Sequence, residues 1–261
     1  MKIINYQKNC IINSVNSAIR GGQVYLKSTD IRIQGGIIQN SNNISKVNSI
    51  IEPDEQVNNK SIISDSLGGG MNITSSNQFQ IDNLKINKCQ AQRGGAIYFS
   101  NSEGIISYSE FNNNEAQITG GGIFLDNGCQ IKLYDSKVLH NSTKEHAGGG
   151  IYAQGYIYIN GNTLISGNSA GSTGGGIIFL KKSRIKYCII CNNKSEGAGG
   201  GIRNKGNLFL EDEKIYSNWS NDYGGGISNY NSLIYDKDKI NDIVYDNIAE
   251  KGGNNIYPEI K

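Results

Sequence analysis

Glu211, Asp212 and Glu213 are followed, 25 positions on, by Asp236, Lys237 and Asp238. If the fold lays segments at that interval side by side, Glu211, Glu213, Asp236 and Asp238 offer hard oxygen ligands of the kind that hold calcium. The plainer reading is a solvated charged face, partly neutralised by Lys237 and by Lys186. A second set is basic: Lys181, Lys182, Arg184, Arg203 and Lys205 recur at similar spacing, and guanidinium forks suit the carboxylates or sulfates of an acidic glycan. A third is aromatic, with Tyr98, Phe124 and Tyr152 each directly after an isoleucine that follows a small-residue run. Such a stripe can stack on sugar rings or meet a protein partner, although these are also ordinary strand residues. His140 and His146 complete no Ser-His-Asp spacing. Cys188 and Cys191 form a lone C-x-x-C without a second pair, better read as small buried residues than as zinc ligands. The 34 glycines match no nucleotide-binding loop.

What positions these residues is a repeat. Gly94-Gly95-Ala96-Ile97 is followed by glycine triplets opening onto Ile123, Ile151, Ile177, Ile202 and Ile227, at intervals of 26, 28, 26, 25 and 25 residues. A second marker, an apolar residue three positions before an asparagine, keeps the same phase at Asn87, Asn114, Asn141, Asn168, Asn193, Asn218 and Asn247. Between the markers lie alternating apolar pairs: Ile131 and Leu133, Ile157 and Ile159, Ile185 and Tyr187, Leu208 and Leu210, Leu233 and Tyr235. Period-two alternation argues for short half-buried strands, and no segment offers helical spacing over enough turns to compete. A unit of this length that returns to its start is one rung of a solenoid. The expectation is all-β: a right-handed, single-stranded parallel β-helix of nine or ten coils of roughly 26 residues. Like residues then stack on like, with glycine at a tight corner and asparagine tolerating the left-handed region and forming amide ladders at the opposite bend.

The same pattern extends through Gly21-Gly22-Gln23-Val24, Ile31, Ile33 and Ile37–Asn40. The next corner, Gly68-Gly69-Gly70-Met71, comes late, so an excursion or degenerate coil is expected at about 42–67, within one domain covering 1–261. If the chain is exported, Asn43 and Asn59 in that excursion are the plausible glycosylation acceptors.

Gly94-Gly95-Ala96-Ile97 and Phe111-Asn112-Asn113-Asn114 together resemble the repeats of the polymorphic outer-membrane protein family, whose units carry Gly-Gly-Ala-Ile and Phe-x-x-Asn motifs. The resemblance spans about Leu84 to Ile256, the other repeats matching by residue class. It implies a surface-displayed, extracellular β-helix used in adhesion, with a polysaccharide or a surface protein as partner. No apolar leader opens the chain and no barrel strands close it, so the compartment rests on the resemblance alone. Many β-helix proteins cleave acidic polysaccharides. The catalytic alternative is therefore a calcium-dependent lyase or hydrolase, for which Lys237 is the one basic candidate. A purely structural segment of a larger surface protein is the other alternative.

Composition narrows the partners. A net charge of +2 without a basic block gives nucleic acid no support, and no stretch of 18 apolar residues can span a membrane. The end of the chain, Ile256–Lys261, leaves a last rung with unpaired backbone groups, from which either end-to-end self-association or a further C-terminal extension is expected.

Overall fold

The computed structural model describes residues 67–258 throughout and, before them, strands at Lys2–Ile3, Cys10–Asn13, Ala18–Arg20, Val24–Lys27 and Asp30–Gln39. Apart from Leu67, which bridges to Arg93, the expected excursion at 42–67 lies outside the described residues.

Every strand pairing is parallel, and every neighbour in a sheet comes from the next turn of the chain. Three sheets result, giving an all-β parallel solenoid of about seven turns of about 26 residues. Sheet A carries the glycine-led strands, with Ile97, Ile123, Ile151, Ile177, Ile202, Ile227 and Ile256 in direct register. Sheet B has two arms per coil, exemplified by Gln130–Tyr134 and Lys137–Leu139. In an earlier coil both arms belong to one strand, Gln78–Asn87. Sheet C is a seven-stranded stack of short segments such as Ser142–Thr143.

The core is a continuous column of Ile, Leu, Val and Phe running up the inside of the stack. Phe79 and Phe99 stack there at 4.9 Å. Gly104 accompanies them at an inward position, because a Cβ there would collide with the Phe79 ring.

The corners differ from the expectation in an instructive way. Left-handed backbone falls on the residue before the ladder asparagine, as at Asn113, His140, Asn192, Ser217 and Asp246. The ladder asparagine itself turns inward. Asn168 Oδ1 accepts from the Asn141 backbone N–H and from Asn141 Nδ2, while Asn168 Nδ2 donates to Val138 O and to Asn193 Oδ1. This ladder runs unbroken through Asn114, Asn141, Asn168, Asn193, Asn218 and Asn247, and Asn255 closes it. Asn87 is not a member. It pairs with Asn112, and Cys89 takes the ladder position, donating its N–H to Asn114 Oδ1.

Among the described residues the all-strand expectation fails at one place. After Leu233–Ile234 the chain leaves sheet B through a 3-10 turn at Lys237–Lys239 and a helical turn at Ile240–Ile243, and rejoins it at Val244–Tyr245. Tyr187 also departs from its expected inward place, being exposed at a left-handed bend. Among the described residues no helix is long and apolar enough to cross a membrane.

Candidate ligand-binding surface

Tyr98, Phe124 and Tyr152 do stack ring on ring on sheet A, at 5.0 and 5.1 Å, and they point away from the core. They are not an exposed stripe, however. Tyr98 and Phe124 are 5% and 2% exposed, and Tyr152 is half-buried. Rings on neighbouring rungs cover one another's faces, since rungs lie about 4.8 Å apart. The Tyr98 hydroxyl donates to Asp126, and burial together with that carboxylate raises its pKa.

The acidic set does not assemble. Lys186 and Arg184 both clasp Glu211, and their hydrogen bonds hold its carboxyl below the usual range. Glu213 turns into the core and is 1% exposed. Asp236 accepts the Asp238 N–H at the start of the 3-10 turn, off the sheet, and Lys239 reaches both Asp212 and Asp236. Among the described residues no group of three His, Cys, Asp or Glu could hold a metal ion.

The basic set is only partly on the surface. Lys181, Lys182 and Lys205 are exposed in adjacent turns, where the Lys205 N–H donates to Phe179 O and Gly206 packs on the Lys181 backbone. Arg203 is buried instead, at 7% exposure, beneath the ring of Tyr230. Alternation directs it outward, but it is covered. The lone C-x-x-C pair and both histidines sit as expected: Cys188 and Cys191 are buried, and His140 and His146 are exposed.

The outer face of the first arm of sheet B carries what sheet A does not. One column in register runs Ile105, Lys132, Tyr158, Arg184, Phe209 and Ile234. Beside it run Glu103, Gln130 and Tyr156 on one side and Ser107, Tyr134 and Asn160 on the other. Lys132, Lys182 and Arg184 are exposed, while Tyr134, Tyr156, Tyr158 and Phe209 are half-exposed. Tyr134 and Tyr158 meet edge to face at 5.9 Å, and the Lys182 ammonium lies 5.3 Å from the Phe209 ring centre. Among the described residues, Lys132 and Lys182 have no carboxylate within ion-pair distance.

Two hollows continue this platform. One of about 340 Å³ is floored by Ile105 and walled by Gln80, Gln130, Lys132 and Tyr156. The other, about 480 Å³, shares Gln80 and Ile105 and reaches Arg32 and Gln34. Amide groups, ring faces and unpaired cations on one ribbon can bind a sugar chain at its hydroxyls, its C–H faces and its acidic groups.

Sequence reasoning passed over this face although its signal was present. Ile157 and Ile159 are buried, so Tyr156 and Tyr158 must point outward. No known protein family, curated protein or solved structure matches the chain.

Proposed function

We propose that the protein is a non-catalytic surface scaffold for recognition, and that it binds an acidic polysaccharide along the outer face of the first arm of sheet B. The observation that carries this reading is the run of Lys132, Tyr158, Arg184 and Phe209 on four consecutive rungs, flanked by Tyr134 and Tyr156. Its charge is net positive, because Lys132, Lys182, Arg184 and Lys186 outnumber Glu103, Asp82 and Glu211, and among the described residues Lys132 and Lys182 have no carboxylate within ion-pair distance. The placement at a cell surface or outside the cell draws on the Gly-Gly-Ala-Ile and Phe-x-x-Asn motifs and their likeness to polymorphic outer-membrane protein repeats. With the N-terminal strands of sheet A included, we read the solenoid as right-handed with nine or ten coils, following the crossover preference of parallel strands.

The test is retention of the purified chain on immobilised acidic and neutral polysaccharides, with calcium and with chelator, while the soluble fraction is assayed for new chain ends. The expected outcome is calcium-independent retention on acidic polymers without product. The double substitution Tyr156→Ala with Tyr158→Ala should weaken retention at least tenfold, since each lost stacking contact costs about 1 kcal/mol. Unchanged retention in a variant with unchanged thermal melting would discard this face. Calcium-dependent release of new ends would establish the lyase or hydrolase alternative, and retention only by a protein partner would replace the glycan.

A further inference from the structure

On the outward side of sheet A, Arg203 stands between Ile178 and Ser228 in register. Its guanidinium is an unusual charge to leave there. Nη1 donates to Ser228 Oγ, and the Tyr230 ring centre lies 3.8 Å from Cζ. Nε is buried without a hydrogen-bond partner, and among the described residues no carboxylate lies within ion-pair distance of any of its nitrogens. Removing one ion from water without an opposite charge is costly. A serine hydroxyl and one ring face offset part of that cost. The remaining demand is for an anion.

The unused part of the guanidinium has a definite shape. With Nη1 committed to Ser228, the free edge is Nε with Nη2, whose N–H bonds run parallel. That edge accepts two oxygens of one carboxylate, sulfate or phosphate group in a fork.

The surroundings are suited to hold the edge still while one side opens. Asn204 Nδ2 donates to Asn229 Oδ1 at 2.7 Å and to Ser232 O at 3.1 Å, and Asn204 Oδ1 accepts the Gly206 N–H at 3.1 Å. These bonds pin the turn on which Arg203 leans. Tyr230, by contrast, is 65% exposed, and its ring lies against the Arg203 guanidinium. Lys205 occupies in its own coil the turn position that Tyr230 occupies in the next; it is exposed and, among the described residues, has no carboxylate within ion-pair distance.

We infer that Arg203 is the floor of an oxyanion site, that Tyr230 is its displaceable cover, and that Lys205 supplies a second positive charge at the rim. The ligand class is a single group with two oxygens for one guanidinium edge: a carboxylate, or a sulfate or phosphate. The site lies on sheet A rather than on the sheet B platform. It stands or falls separately from the polysaccharide reading.

The experiment follows the Arg203 side-chain Nε–H resonance of the full chain. Sodium sulfate and sodium acetate are titrated in separate arms, with sodium chloride holding the ionic strength constant. A saturable shift, absent from Arg203→Lys, is the expected result. Response to acetate alone assigns carboxylates, response to sulfate alone assigns the tetrahedral anions, and response to both assigns the general oxyanion class. Tyr230→Ala, which removes only the cover, should tighten binding or leave it saturable at lower anion concentration. Lys205→Gln should weaken it about threefold. No shift beyond the chloride control, in both the native chain and Tyr230→Ala, would overturn the site. If Arg203→Lys does not fold, the Tyr230→Ala titration alone decides.

Discussion

At the scale of single residues the most consequential side chain is Glu213. Its column passes through Thr163 and Cys188, each one residue before the register partners Leu164, Ile189 and Lys214. Those coils place a hydroxyl and a thiol where Glu213 places a carboxyl, and among the described residues neither of its oxygens finds a hydrogen-bond partner. Burial pushes its pKa up to about 7, with the like charges of Asp212 and Glu211 adding to the effect. The Cys188 thiol beside it is raised to about 12 by its own burial, so it stays neutral. A carboxyl with a raised folded pKa stabilises the fold fully below its unfolded value of 4.5, and that contribution is lost as pH climbs through about 7. The native chain should therefore lose about 3 kcal/mol between pH 4.5 and 8. Glu213→Gln should flatten that slope in urea unfolding, whereas an undiminished slope would move the effect to other carboxylates. The inward turn was not legible from a Glu-Asp-Glu run, which reads as one charged face. Asp212 adopts left-handed backbone, at φ 55°, and one such residue breaks the period-two alternation. The next side chain is thereby sent to the opposite face from the one that counting predicts.

At the scale of elements, the asparagine ladder and the glycine corner hold the rungs in register. The Asn168 side chain takes part in four buried hydrogen bonds, two as acceptor and two as donor. Asn168→Ala leaves the Asn141 backbone N–H without its acceptor and takes one partner each from Asn141 Nδ2, which keeps Phe111 O, and from Val138 O. At about 1–3 kcal/mol for the orphaned group, with the other lost bonds adding less than additively, a loss of about 3 kcal/mol is expected in urea unfolding. A loss under about 1 kcal/mol would reduce the ladder to a by-product of the strands. At the corner, a Cβ on Gly149 would strike the carbonyls of Ser169 and Gly175, so the close approach itself demands glycine there. Both markers were legible in the sequence, because a solenoid repeats each local solution once per turn. The first ladder position was not. Leu84 and Ile86 are both buried in one alternating strand, so the spacing fits Asn87 as well as it fits Cys89, and only the partner strand decides between them. The same limit explains the aromatic residues of sheet A. Alternation gives a side chain's direction, but its exposure depends on what stacks above and below it.

At the scale of the whole molecule, each rung touches only its neighbours, so a binding face on a solenoid is built by repetition rather than by enclosure. Lys132, Tyr158, Arg184 and Phe209 are one column on four successive rungs, which at about 4.8 Å per rung spans about 14 Å. The hollows around Ile105 lengthen that track toward Arg32. A ligand lying along the column engages one more rung with each increment of its own length, and the later contacts form within an existing complex. Affinity for an acidic oligosaccharide should therefore climb with chain length, by about fivefold for each additional rung engaged at about 1 kcal/mol per rung. It should level off once the chain covers the platform. Calorimetric titration with size-fractionated oligosaccharides measures this directly. Phe209→Ala shortens one end of the column without touching the core, so it should bring the plateau to shorter chains while leaving the affinity of the shortest binders at the Tyr156 end unchanged. An affinity independent of length would mean that the ligand occupies one rung only, and the column on sheet B would then be a solvated face with no recognition role.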